Sequence, residues 1–323
     1  MRRSLRRSSQ AAAISIIALL AVGCASVGQT ASPPASPTSK FLTTPGGGNP
    51  VGGGTSTTPS TSTSTAPATG KPRDPGKSPF AGLAGYVAAR PGLVTAAVYD
   101  KRTGRTWVFH PGITEDTASI VKVEIMGAAL KQAQTAGSPL PGTELALMTT
   151  MIENSDNSAA TQLLADDGGP SGVQRFDESV GMTHTTVSTL AFIPGSTTLP
   201  GWGLTKTTAS DEVKLVRDFA YPNSILNSLN RNYGLGLMEK IESDQAWGVS
   251  GGVPTGTTIA LKNGWLPIDL ATNTNWQVDS IGWIRGGGRD YVLAVLSGGN
   301  PSEQTGIDTI EHISSQVYSE LGH

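Results

Sequence analysis

Cysteine is almost missing from this sequence of 323 residues: Cys24 stands alone. A single thiol excludes an intramolecular disulfide framework and a thiolate metal cluster. Charged residues are also few, 15% of the chain, for a formal net charge of −2. Four of the positive charges are Arg2, Arg3, Arg6 and Arg7 at the very start. The chain beyond them is acidic and carries no basic stripe, which argues against a nucleic-acid partner. His110, His184, His312 and His323 show no ligand spacing with acids or cysteine, so no metal site is expected. The apolar run Ala11 to Val22 is too short to cross a bilayer. Glycine and proline are instead in excess, 40 and 21 residues, much of it before residue 79.

The early arginines leading into that short apolar run have the form of a secretory signal. Arg2-Arg3 fits a twin-arginine pattern only loosely. Leu20-Ala21-Val22-Gly23 leads into Cys24 and resembles a bacterial lipoprotein cleavage box, with Ala21 where Leu is commoner. The resemblance implies removal of residues 1–23, lipidation of Cys24, and an extracytoplasmic, membrane-anchored location. Residues 24–78 are dominated by Ser, Thr, Pro and Gly; Val27, Phe41, Leu42 and Val51 offer too little apolar surface to repay ordering. This stretch is expected to be a disordered tether, its ends on the order of 40 Å apart. Residues 79–323 remain as one folded unit, long enough to bury a sizeable core.

Within that unit the patterning predicts a helix over 79–90 and β-rich runs at 93–99 and 105–109, joined by a hairpin turn. Helices come next at 119–135, 143–153, 157–166, 171–180, 209–220 and 224–243. Strands return at 258–262, 277–284 and 290–296, and a helix over 303–321 closes the chain. Gly286 to Gly288 read as a hairpin turn and not a phosphate loop, because no helix and lysine come after them. The order implies an α+β fold: an antiparallel five-stranded sheet flanked by N- and C-terminal helices, with an inserted all-helical subdomain.

Three short motifs carry chemistry. In Ser119-Ile120-Val121-Lys122 the i, i+3 spacing at a helix start sets an amine beside a hydroxyl among unpaired backbone N–H groups. An alcohol becomes nucleophilic when a neighbouring amine takes its proton. Ser155-Asp156-Asn157, between two helices, supplies a hydroxyl able to relay a proton and an amide able to hold both lysine and substrate. Each residue of it is also a good helix cap. Lys262-Asn263-Gly264, placed at a strand end, supplies a cation for a substrate carboxylate and a glycine that admits a ligand to the backbone. Ser228-Leu229-Asn230 repeats the second pattern by accident on a surface helix.

In this order and these settings the motifs resemble those of the penicillin-recognising serine enzymes, above all the class A β-lactamases with S-x-x-K, S-D-N and K-T-G. Thr207-Thr208 before a helix and the closing strand-strand-helix agree. The resemblance implies the β-lactamase/transpeptidase-like fold over 79–323, no cofactor, a monomer, and a β-lactam or cell-wall peptide as substrate. It assigns Ser119 as nucleophile, Lys122 as base and Ser155 as proton relay. Asn157, Lys262, Asn263, Gly264 and Trp265 fall to substrate binding, with the backbone N–H groups of Ser119 and Trp265 as oxyanion donors.

The chain departs from that pattern in three places. Between Ser179 and Ser210 there is no Asp, Glu, Asn or Gln, where class A enzymes carry the glutamate that clears the acyl-enzyme. Glu153, Asp177, Glu178 and His184 are the nearby groups that could activate water. The interval from Lys122 to Ser155 is short, and Asn263 stands in place of threonine. Three functions are compatible with these residues: a β-lactamase-type hydrolase, a D-alanyl-D-alanine carboxypeptidase, or a non-hydrolytic penicillin-binding or sensing lipoprotein.

Overall fold

Alternation along Leu93–Asp100, with Val94, Ala96 and Val98 set against Ala97 and Tyr99, sends successive side chains to opposite faces of a strand. In the computed structural model, which describes residues 76–322, this segment is strand β1. The expected signal peptide, Cys24, nearly all of the expected tether and His323 lie outside the described residues. β1 pairs with β2 (Arg105–Phe109) across the expected hairpin. Asp100 holds the turn by accepting from the Arg102 backbone N–H at 3.0 Å and the Thr103 hydroxyl at 3.1 Å. Strands β5 (Thr258–Asp269), β6 (Thr274–Gly286) and β7 (Arg289–Asn300) complete an antiparallel sheet ordered β2-β1-β7-β6-β5. Gly286, Gly287 and Gly288, all at positive φ, turn the chain between β6 and β7.

One face of the sheet packs on α1 (Leu83–Ala88) and α8 (Glu303–Glu320) through Leu83, Val87, Ile310, Ile313 and Val317. The other face, including Val292, Ala294 and Leu296 of β7, packs on the helical block. That block comprises α2 (Lys122–Ala136), α3 (Gly142–Glu153), α4 (Asn157–Asp166), α5 (Pro170–Val180), α6 (Ala209–Ala220) and α7 (Ser228–Met238). It is inserted between β2 and β5, so the α+β expectation holds.

Three details differ from it. The α7 helix is shorter than the expected 224–243, because Asn223 accepts from the Ile225 and Leu226 N–H groups in a turn of its own. Asn227 then caps the helix from outside by accepting from the Asn230 N–H. A small second sheet, β3 (Glu115–Asp116) with β4 (Lys206–Thr207), is not visible in the periodicity; it ties the nucleophile turn to the segment before α6. Strand β5 also runs well beyond Lys262-Asn263-Gly264, which therefore lies in mid-strand, because β6 covers it as far as the Asp269–Thr274 pair.

Helices α2, α5 and α6 meet around three fully buried carboxyl groups, Glu124, Asp177 and Glu212. Gly127 brings α2 close, since a Cβ there would strike the Phe176 ring of α5. Burial pushes all three carboxyls upward, Asp177 and Glu212 to about 8, and mutual repulsion adds to it for Glu124 and Asp177. The folded chain thus keeps protons that the unfolded chain releases above the ordinary carboxyl range, near pH 4. Stability falls wherever the folded state holds more protons. The melting temperature is therefore expected to decline as pH rises from near 4 towards about 8. Glu124→Gln, which keeps a donor and loses the ionisation, should flatten that decline and raise the melting temperature above pH 8. Scanning calorimetry across pH decides it, and equal slopes in both proteins would refute this account of the cluster.

Candidate active site

The approach to Ser119 is made by a backbone that few residues adopt. Ala118, immediately before it, has φ 42°, in the left-handed region. A 3₁₀ turn, Ala118–Val121, then carries Ser119 into α2, whose first residue is Lys122. Residues three apart eclipse in a 3₁₀ turn, and the Lys122 amine lies 3.0 Å from the Ser119 hydroxyl oxygen. The helical pattern read from Ser119 thus begins one turn later as α-helix. Ser119 is partly exposed, whereas Lys122 is wholly buried.

Asp156 is the cap of the second motif: its carboxylate accepts from the Ala159 N–H at 2.7 Å and starts α4. That leaves its neighbours to face Lys122. Ser155 sits at φ 57°, a second left-handed residue at the site, and presents both its carbonyl and its hydroxyl to the amine, at 2.6 and 3.0 Å. The Asn157 side-chain amide oxygen accepts from Lys122 at 2.8 Å. Lys262 of β5, also without solvent exposure, donates to the Ser155 hydroxyl at 3.0 Å from the opposite side, and to the Asn263 carbonyl at 2.8 Å. One hydroxyl thus stands between two amines brought from a helix and a strand.

Both amines are held low. Desolvation is the main cause at Lys122, with the Lys262 charge adding to it and Asp156 opposing, and it lowers Lys122 well below an ordinary lysine. Burial brings Lys262 down to about 7. The Trp202 ring lies 5.0 Å from the Lys122 amine, and its indole N–H donates to Thr161. The sequence marks Trp202 only as core or cleft wall; nothing in its spacing signals this contact.

At Gly264 the missing Cβ admits protein backbone. A Cβ there would lie 2.7 Å from both the Ser119 nitrogen and the Thr117 carbonyl oxygen, so β5 packs directly against the nucleophile turn. Trp265 comes next in the strand and lines the cleft, edge-on to Trp247 with ring centroids 5.9 Å apart. Asn263 does not join the cleft, and its assignment to substrate binding is corrected. Alternation along β5 turns its side chain to the other face, where it is fully buried. Its amide donates to the Gln245 and Trp247 carbonyls at 2.7 and 3.0 Å, and its oxygen accepts from the Ser280 hydroxyl at 2.5 Å.

A cavity of about 60 Å³ opens at Ser119, lined by Asn157, Trp265 and Leu266 and, across from them, by Ile193, Leu199, Pro200 and Trp202. The last four belong to a flap that folds on itself through Ile193 N–H to Leu199 carbonyl at 2.9 Å and Gly201 N–H to Ala191 carbonyl at 3.1 Å. Ile193 is seated with Ala118 and Leu266 in a small apolar cluster of its own. No carboxylate lines this cavity. Among the groups considered for activating water, Asp177 lies in the buried carboxyl cluster, and Glu153, Glu178 and His184 do not border it. The His184 N–H instead pins its loop to Asp211 at 2.7 Å.

A serine and lysine at the start of α2, a loop serine with the first asparagine of α4, and a strand lysine, on this helix-flanked sheet, define a class A β-lactamase-like serine-lysine site. The family model described as "Beta-lactamase enzyme family" matches residues 141–321, more than half of the chain, and the chain belongs to that family. The matched stretch contains Ser155, Asn157, Lys262 and Gly264; Ser119 and Lys122 precede it. Among solved structures, the TLA-1 extended-spectrum β-lactamase is similar with a TM-score of 0.67 at 19% identity, covering 76% of this chain and 99% of that one. A class A β-lactamase from Bacteroides cellulosilyticus DSM 14838 gives 0.64 at 17%, covering 74% and 95%. The ancestral class A β-lactamase GNCA gives 0.62 at 19%, covering 73% and 97%. At these identities the likeness is one of fold. No curated protein matches by sequence.

Gly264→Ala should push β5 away from the Ser119 nitrogen and slow covalent labelling of Ser119 by about 10²-fold or more, the scale of losing one oxyanion donor. Time-resolved intact mass measures it; unchanged labelling would show that the close approach is irrelevant to the site.

Proposed function

We propose that the protein is a serine hydrolase that opens β-lactam amide bonds through an acyl-enzyme on Ser119. The observation that carries this reading is the setting of Lys122: a buried amine 3.0 Å from the Ser119 hydroxyl with oxygen acceptors on its other sides. A neutral amine has two N–H bonds and one lone pair. The Ser155 carbonyl oxygen and the Asn157 side-chain amide oxygen take the two hydrogens, which leaves the lone pair for the Ser119 proton.

As Ser119 adds to the lactam carbonyl, its proton passes to Lys122. Positive charge then appears between Lys122 and Lys262, and it is relieved when the Ser155 hydroxyl, bonded to both, hands a proton to the departing nitrogen. The backbone N–H groups of Ser119 and Trp265 serve the carbonyl oxygen as it gains charge. Water must then cleave the ester, and the cavity offers no carboxylate to activate it. That observation favours a second reading, in which the acyl-enzyme persists and the protein acts as a penicillin-binding or sensing protein. A D-alanyl-D-alanine carboxypeptidase would use the same residues on wall peptide. We further propose export by the signal at 1–23, anchoring through lipidated Cys24, and a tether over 24–78 that holds the 79–323 domain outside the membrane.

The full chain, incubated with a chromogenic cephalosporin, is expected to gain one acyl adduct in intact mass and to lose it slowly; Ser119→Ala should gain none. Fast steady turnover would support an ordinary β-lactamase, release of D-alanine from a wall-type peptide the carboxypeptidase, and absence of both adduct and turnover would remove the enzyme. In producing cells, Cys24→Ala should move the protein from the membrane fraction to the soluble one; an unchanged distribution would reject the anchor.

A further inference from the structure

A substrate carboxylate needs a partner, and the residues that could supply one at this site are withdrawn from it. Asn263 stands at the position that would offer a hydroxyl in the K-T-G pattern. Its amide is buried on the far side of β5 and bonded at both donors and at its oxygen. Lys262 is the remaining cation on that strand at the site. It is without solvent exposure, and two of its N–H bonds go to Ser155 and to its neighbour's carbonyl. Apart from Ser119 and Asn157 the cavity lining is apolar, with Ile193, Leu199, Pro200, Trp202, Trp265 and Leu266, and no arginine or lysine lines it. Lys206, the one charged residue between Ser179 and Ser210 apart from any charge on His184, is paired with Asp116 at 2.8 Å. A carboxylate brought into such a place would lose its water with little to replace it. An uncharged, apolar acyl donor has no charge to desolvate.

We infer that this site takes uncharged acyl donors, esters or lactams with apolar substituents and no carboxylate beside the scissile carbonyl, in preference to carboxylate-bearing penicillins and cephalosporins. The inference rests on the acyl-enzyme reading and narrows its substrate class. The covalent step is unchanged. The Ser119 oxygen bonds to the carbonyl carbon and its proton goes to Lys122. The bond from that carbon to the leaving oxygen or nitrogen breaks, and the leaving atom receives a proton through Ser155.

The test compares one molecule in two charge states, benzylpenicillin and its methyl ester, on the full chain, with Ser119→Ala as the blank. The rate of adduct formation is read by intact mass. The ester is expected to acylate Ser119 as fast as the free acid or faster. A site that pairs with the carboxylate should instead favour the acid by about tenfold or more. A rate for the ester below about a third of that for the acid overturns the inference while leaving the acyl-enzyme reading intact. No Ser119 adduct from either compound overturns both.

Discussion

The chemistry of this fold depends on an amine kept out of water. Lys122 has no exposed surface, and its charge would have to be carried among oxygen dipoles with a second lysine close by. Desolvation, with the Lys262 charge adding to it, favours the neutral amine beside the Ser119 hydroxyl. The rest of the site serves that condition. Asp156 caps α4 so that Ser155 and Asn157 can turn inward, and Trp202 covers the amine from the flap. Gly264 lets β5 lie against the turn that presents Ser119.

Polar groups are buried at two levels beneath the cleft. Around Ser119 they are matched in pairs, amine to hydroxyl and amide to carbonyl, which is how buried polar atoms avoid a desolvation cost. Two residues further along α2 from Lys122, Glu124 joins Asp177 and Glu212 in a cluster that is tolerable because its members keep protons. The helix that presents the nucleophile is thus seated on a core whose cohesion depends on protonation.

The flap gives the cleft its character. In the chain it occupies the place where the resemblance leads one to expect a glutamate, and it delivers isoleucine, leucine, proline and tryptophan instead. The hydroxyls and amines that the proposed acylation would use lie together, and no carboxylate lines the cavity beside them.

Much of this was legible in the sequence. Period-2 and period-3.6 patterns mark where the five strands and most helices lie, though β5 runs well past its expected end, since one buried face imposes each pattern. The three motifs appear in order because local geometry demands their residue types: a short spacing across one helical turn, caps in a loop, a glycine without Cβ. Short-range rules could not place what depends on neighbours far along the chain. The facing of Asn263 was settled by the pleat of β5 and by the carbonyls of Gln245 and Trp247. The closeness of Gly264 to Ser119, the cover of Trp202 over Lys122 and the meeting of three carboxyls on three helices arise only when α2, α5, α6, β5 and the flap pack together. Spacing determines which side chains share a face; tertiary packing decides what each face meets, and with it whether a lysine is charged and a carboxyl keeps its proton.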